Sequence, residues 1–231
     1  MPESLLIESL SEFDTPTICN AIEVIAPERR THGFTTKPFL CHDPSLPPIV
    51  GYARTATIRA TAPSGRSKAE DLATRIGYFR HIAEAPGPTV TVIEDIDEQV
   101  GFGAHWGEVN SNLHKGLGSV GVITNGSIRD ADMWAEGFGA LAGFYSPSHA
   151  WVHVVDYAIP VTVHGMTVSP GDIIHADRHG AVVVPPSAVT AIADTVKRLE
   201  TAEAKLIEPS QQPEFNVEQL ITILDPDGRD H

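Results

Sequence analysis

The stretch GAHWGEVNSNLHKGLGSVGVITNGSIRD, residues 103–130, decides how the chain is read. Its apolar run SVGVIT is bounded by Gly118 and by Asn125-Gly126, the pattern of a strand buried on both faces. Before it, VNSNLHKGLG reads as a helix closed by Gly116 or Gly118. Ahead of that helix, GFGAHWGEV is a Gly-rich loop ending at the helix N-terminus, and after the strand comes a second loop carrying Arg129-Asp130. A loop, a helix, a strand and a loop in that order place the two loops side by side at the carboxyl ends of neighbouring strands. Ligands of open α/β sheets bind there.

The rest of the chain extends the same pattern. A first helix is expected over residues 2–12 and a second over DTPTICNAIEVI, then a Pro-, Thr- and His-rich excursion at 31–49. GYARTATIRATA alternates as a strand. GRSKAEDLATRIGYFRHIAEA is a helix with Leu72, Ile76, Phe79 and Ile82 at helical spacing, ended by Pro86-Gly87-Pro88. TVTVIEDI is a strand, DADMWAEGFG a short helix and ALAGFYS another strand. IPVTVHGMTVSPGDIIHADRHGAVVVP reads as hairpins. SAVTAIADTVKRLETAEAKLIE is a helix with Ser187 as N-cap and Val189, Ile192, Val196 and Leu199 on one face. The expectation is an α/β core with extra antiparallel hairpins: one domain over residues 1–208, then a tail or intersubunit arm over 209–231.

Bulk properties exclude several functions. With 231 residues, a formal charge of −14 and only 16 basic residues, the chain has no cationic patch of the kind nucleic acid requires. No stretch reaches the roughly 18 to 20 apolar residues of a membrane span. The opening MPESLLIESL lacks the basic flank of a signal peptide, and Cys19 and Cys41 form no C-x-x-C, so a reduced, cytoplasmic protein is expected.

The two loops carry the chemistry. Free N–H groups and the dipole at a helix start favour an anion, and Gly101, Gly103 and Gly107 let backbone approach it, so the Trp106, Gly107 and Val109 segment is a candidate carboxylate cradle. Arg129 can fork a carboxylate or enolate oxygen, and Asp130 can hold a hard divalent cation. Together they suit negative charge developing on a 2-keto acid oxygen. An ordinary surface ion pair capping a helix is the competing explanation. His105, inside the first loop, is a candidate for substrate contact or proton transfer.

Glu108, twenty intervening residues, then Arg129-Asp130 resembles the Asp-x20-Arg-Asp signature of the RraA-like superfamily. That group includes class II 4-hydroxy-4-methyl-2-oxoglutarate/4-carboxy-4-hydroxy-2-oxoadipate aldolases and regulators of ribonuclease E activity. GSVGVITNGSIRD, PGDIIHADRHGAVVVP and TPTICNAIE are similar to the family's site loop, hairpin and first helix, so the likeness spans roughly residues 10–205. The resemblance implies an αββα sandwich, assembled as a homotrimer or hexamer with sites between subunits. It implies Mg²⁺ or Mn²⁺ on Asp130, enolate stabilisation by Arg129, and a substrate carboxylate on the amides of residues 105–109. It further implies a carboxylate at Glu108 ordering metal-bound water, and a small anionic 2-keto acid cleaved or decarboxylated through a pyruvate enolate.

The sequence departs from that pattern at Glu108, one methylene longer than Asp, and at Asn20, where the first helix often has Asp. The resemblance to the aldolases also implies a Glu supplied by the adjacent subunit, for which Glu200, Glu203 and Glu208 are all possible. His175, Asp177 and His179 alternate along a strand, and His149 and His153 have the i, i+4 spacing of helical metal ligands, so a zinc site is weighed against turn and surface roles. Arg66 or Lys68 could reach a substrate carboxylate, while Trp106 and Trp134 are read as packing residues or a pocket wall. Three functions stay open: a metal-dependent lyase, a regulator binding a ribonuclease or other basic protein, and a divergent enzyme acting on another hydroxy acid.

Overall fold

The computed structural model describes residues 3–84 and 87–225; Pro2, Pro86 and residues 226–231 of the expected tail lie outside the described residues. Helix α1 (Glu3–Ser9) runs into a 3-10 turn, and α2 (Thr15–Ile25) starts at Asp14, whose carboxylate accepts the Thr17 N–H at 2.9 Å. Then come β1 (Leu40–Cys41), β2 (Ile49–Arg59), α3 (Lys68–Ala83), β3 (Thr89–Asp95), β4 (Ala104–Trp106), α4 (Glu108–Gly116), β5 (Ser119–Thr124) and β6 (Ser127–Ile128). The remainder is β7 (Gly139–Ala142), β8 (Phe144–Tyr145), β9 (His153–Tyr157), the hairpins β10 (Val161–Val163)–β11 (Met166–Val168) and β12 (Ile173–Asp177)–β13 (Gly180–Val184), α5 (Val189–Ser210) and α6 (Val217–Leu224).

Four parallel strands, in the order β7-β5-β3-β2, form the centre of the main sheet. Strand β1 flanks β7 antiparallel, and β12 and β9 share the far edge of β2, with β13 outside β12. Helices α1, α2 and α5 bury Ile7, Ile18, Ile22, Ile192 and Val196 against Val50, Ile173 and Val184. The β10–β11 hairpin closes Val161, Val163 and Met166 over Val90, Val92 and Leu141. A third core holds Tyr78, Ile82, Ile93, Trp106, Ile128 and Phe138. These layers make one α/β domain of helices on a curled sheet.

What positions the site is a corner that three strands turn together. Strands β3, β5 and β7 each leave the main sheet and continue as β4, β6 and β8, which pair parallel in the same order as a small second sheet. Asn125 fastens the first two corners: its Oδ1 accepts the Asp95 N–H at 2.7 Å and its Nδ2 donates to the Asp95 carbonyl at 2.9 Å. The Asp95 carboxylate then accepts the Asp97 and Gly101 N–H groups at 3.0 and 2.8 Å, fixing the start of the Gly-rich loop. At the third corner a Cβ on Gly143 would lie 2.2 Å from the Asn125 carbonyl oxygen, so no side chain fits.

Several expected elements differ. DADMWAEGFG is only a 3-10 turn at Ala131–Met133, and ALAGFYS is broken at Gly143. Ser187 sits inside a 3-10 turn, and no side chain caps α5, because Pro186 already sets the entry. Strand β1 lies inside the expected excursion, and β9 begins at His153, so His149 and His153 do not share a helix. On α3 the inward residues are Tyr78, His81 and Ile82, whereas Leu72 and Ile76 are exposed. Helix α5 continues to Ser210, and α6 follows behind a capping box at Asn216. No helix among the described residues is long and apolar enough to cross a membrane.

Candidate active site

A cleft of about 570 Å³ opens where α3, the start of α4 and the small corner sheet meet. Arg129, Asp130, Gly107, Val109 and His105 all line it, so the two loops do converge. Gly107 is the N-cap of α4 with extended backbone, and its role is space: a Cβ there would lie 2.5 Å from Asp130 Oδ2 and 3.1 Å from Arg129 Cγ. The bare glycine lets the Asp130 carboxylate sit against the helix start, where Oδ2 accepts the Glu108 N–H at 3.3 Å.

Asp130 holds φ 54° and ψ 44°, the left-handed region that Asp tolerates better than most residues. That turn brings Oδ2 to 3.4 Å from Arg129 Nε. The Arg129 backbone is pinned on both sides: its N–H donates to the Trp106 carbonyl at 2.9 Å, and its carbonyl accepts Trp134 Nε1–H at 2.7 Å. A pair one-third exposed adds roughly 0 to 1 kcal/mol to stability, too little to explain a left-handed residue and two dedicated backbone contacts.

His105 turns its ring partly into the cleft, but Nε2 is sealed and has no partner among the described residues. Burial pushes it down to about 3, with His114 and Arg75 adding to the effect, so it is a neutral imidazole rather than a group poised near neutrality. Behind it lies a network the sequence reading did not foresee. The His114 Nδ1–H donates to the Asn110 carbonyl at 2.6 Å, which leaves Nε2 to accept the Tyr78 hydroxyl at 2.6 Å. Asn110 Nδ2 donates to the His105 carbonyl at 2.5 Å. Burial holds His114 down at about 4 and lifts the Tyr78 phenol far above its ordinary range. Polar residues of α3 and α4 thus brace the loop that carries His105.

Other candidates fall elsewhere. The Glu108 side chain is exposed and off the cleft wall; its backbone N–H is what reaches Asp130. The Trp106 indole is fully buried against His114 and Phe138, at ring separations of 4.4 and 5.9 Å, and Trp106 does not line the cleft. Lys68 does not line the cleft, nor do Asn20, Glu200, Glu203 and Glu208, which are exposed on α2 and α5. His175 is buried, with Nδ1 3.1 Å from Thr15 Oγ1 and Nε2 donating to the Leu10 and Phe13 carbonyls. Asp177 accepts the Thr15 N–H at 2.8 Å and pairs with His179 at 3.1 Å, so this trio fastens the N-terminal helices to β12.

Among the described residues no group of three or more His, Cys, Asp or Glu could hold a metal ion. The donor set at Asp130 is one carboxylate, with Oδ2 engaged by Arg129 and the Glu108 N–H. That suits a hard Mg²⁺- or Mn²⁺-type ion, which keeps most of its waters and needs one or two carboxylates, and does not suit a chelated zinc.

The RraA-like family model, described as Aldolase/RraA, matches residues 15–183. The uncharacterized protein MJ0644 of Methanocaldococcus jannaschii is 30% identical over 119 residues, covering 49% of this chain and 57% of that protein. The chain therefore matches little more than half the length of that curated relative. Streptomyces coelicolor RraAS2, described as an unusual member of the RNase ES inhibitor RraA protein family, superposes with a TM-score of 0.67 at 25% identity, over 87% of this chain and 95% of that one. An uncharacterized protein from Pseudomonas syringae pv. tomato shares the fold, with a TM-score of 0.64 at 18% identity over 93% and 96% of the two chains.

Proposed function

The chain belongs to the RraA-like family, which holds aldolases and decarboxylases as well as ribonuclease E regulators, and on that premise we propose that it is a divalent-metal-dependent lyase acting on a small 2-keto acid. The observation that carries this reading is the convergence of Arg129, Asp130 and the bare N-terminus of α4 on one cleft. The substrate carboxylate lies on the free N–H groups at the start of α4. Arg129 donates to the 2-keto oxygen and stabilises it as charge develops. In decarboxylation of an oxaloacetate-type acid, the bond from C3 to its carboxylate carbon breaks and carbon dioxide leaves. The electron pair becomes the enolate, and a proton from water on C3 gives pyruvate. An ion held by Asp130 with its waters would supply further Lewis-acid stabilisation of that charge.

This route needs no general base, whereas retro-aldol cleavage must first remove a hydroxyl proton. His105, at about 3, is a poor base, and the Glu108 side chain stands off the cleft wall. Retro-aldol chemistry therefore waits on a base from a second copy, such as Glu200, Glu203 or Glu208. RraA-like proteins are typically oligomers, and this chain exposes Leu72 and Ile76 on α3 and Val109 and Leu113 on α4, apolar i, i+4 pairs, together with Trp151. A homotrimer or hexamer that covers them would place the site between subunits, in a cytoplasmic protein.

A second reading, a regulator that binds a ribonuclease or another basic protein, draws on the likeness to RraAS2 and on the charge of −14. Glu108 keeps a divergent hydroxy-acid enzyme as a third. The deciding experiment is pyruvate release from oxaloacetate with Mg²⁺ or Mn²⁺ and with EDTA. Metal-dependent release that falls roughly a hundredfold or more in Arg129→Ala and in Asp130→Ala supports the lyase. Release no faster than the free-metal background sinks it.

A further inference from the structure

We propose that Arg75 is the specificity-determining residue of this cleft, reading a second anionic group at the far end of the ligand, with His149 and His153 lining the same cleft. The proposal deepens the lyase reading and rests on it. Helix α3 turns one face to the cleft: Asp71, Thr74, Arg75, Tyr78 and Phe79 follow i, i+3, i+4 spacing and all line it.

The three arginines on the cleft wall are in different states. Arg66 is committed to the fold, with Nε donating to Asp71 at 2.9 Å, Nη1 to Thr74 Oγ1 at 3.1 Å and Nη2 to the Val154 carbonyl at 2.5 Å. Arg129 faces Asp130. Arg75 makes no hydrogen bond or ion pair among the described residues. Its guanidinium carbon stands 5.8 Å from the centroid of the Phe79 ring, within cation–π range, which steadies the group while leaving its N–H fork free.

The carboxylates that could neutralise Arg75 are occupied. Asp71 is shared by Arg66 and the Ser64 hydroxyl, and Asp130 by Arg129 and the Glu108 N–H. Three arginines against two aspartates leave the lining with a formal surplus of one positive charge, in a chain whose total is −14. A local sign reversal of that kind concentrates anions. The two histidines add direction. His149 Nδ1–H donates to the Ala150 carbonyl at 2.9 Å and His153 Nδ1–H to the Trp151 carbonyl at 2.8 Å, which fixes both rings and leaves both Nε2 atoms uncommitted.

A ligand with one carboxylate is served by Arg129 and the α4 N-terminus and leaves Arg75 unused. A cation on a carboxylate that must depart as neutral carbon dioxide would lose its partner in the transition state. Arg75 therefore selects a 2-keto acid whose second anionic group keeps its charge throughout, and oxaloacetate is a surrogate for it.

The test is a calorimetric titration in the presence of Mg²⁺ with pyruvate and with 2-oxoglutarate, on the unaltered protein, Arg75→Gln and Arg75→Lys. The unaltered protein is expected to bind 2-oxoglutarate at least roughly tenfold tighter than pyruvate, the weight of one hydrogen bond to a charged group. Arg75→Gln should abolish that preference without weakening pyruvate, and Arg75→Lys should restore part of it. A preference that survives Arg75→Gln, or a variant that weakens both acids equally, overturns the proposal. Binding is read without turnover, so an intact preference beside absent pyruvate release removes the lyase reading alone. Turnover without a preference removes Arg75 alone, and failure of both acids to bind removes both.

Discussion

Gly107→Ala separates the site from the fold. The backbone at Gly107 is extended, with φ −174°, so alanine meets no conformational penalty there. The new Cβ lies 2.5 Å from Asp130 Oδ2, and ordinary contact begins at 3.4 Å, so the carboxylate must retreat by about 0.9 Å. It is the free end of a side chain and can swing away. In doing so it gives up the 3.3 Å bond from the Glu108 N–H and the 3.4 Å approach to Arg129 Nε. A long hydrogen bond and a one-third-exposed ion pair together contribute on the order of 1 kcal/mol to stability, so the melting temperature should fall by only about 2 to 4 °C. Catalysis should suffer far more. A displacement near 1 Å in a reacting constellation is worth about a hundredfold, or about 2.7 kcal/mol of barrier. Metal-dependent pyruvate release from oxaloacetate, measured beside a circular-dichroism melt, checks both figures. Activity within about threefold of the unaltered protein would show that the seat of Asp130 is not what the reaction depends on. A melt lowered by 10 °C or so would show that Gly107 serves the fold instead.

Tyr78→Phe strips the hydroxyl from a fully buried pair and leaves His114 Nε2 without its donor at 2.6 Å. The loss should be about 1 to 3 kcal/mol in urea unfolding, and a variant as stable as the parent would refute the brace. His105 at about 3 and His114 at about 4 are both held below the ordinary histidine value of 6.5, so both are neutral when folded while the unfolded chain takes up protons below 6.5. Their contribution is complete above pH 6.5 and fades as pH falls towards 4, by about 1 kcal/mol for each between pH 6.5 and 5.5. Urea midpoints across that window should drop, and His114→Gln should flatten the slope.

The parts of the fold legible in the sequence were those with long or repeated signals. Thr89–Asp95 and Ser119–Thr124 are rich in Val and Ile because nearly all of their residues are buried, and the inner face of α5 repeats through Val189, Ile192 and Val196. The corner strands were not legible, because two or three residues such as Ser127–Ile128 carry no period. Their pairing is set by the Asn125 clamp on the Asp95 backbone, a contact across 30 positions. On α3 the apolar stripe was visible but its direction was not. Periodicity reports that Leu72 and Ile76 share a face without saying whether that face is buried by the same chain, and here it stays exposed.

At the site the same limit appears as a difference between charge and commitment. Arg129-Asp130 is conspicuous in the sequence as adjacent opposite charges after a buried strand, and Gly107 as a glycine at a helix start; all three line the cleft. At Glu108 the sequence draws attention to the carboxylate side chain, whereas the contact with Asp130 is made by the amide N–H. Arg66 and Arg75 are equivalent in sequence, nine positions apart in and before one helix. What distinguishes them is the position of Asp71, Thr74 and the carbonyls of β9, which engage every guanidinium nitrogen of the first and none of the second. A cation's availability belongs to its neighbours, and some of those neighbours come from a strand about 90 residues further along the chain. The motif therefore locates the Arg129-Asp130 end of the cleft, while the end that carries Arg75 is assembled by packing.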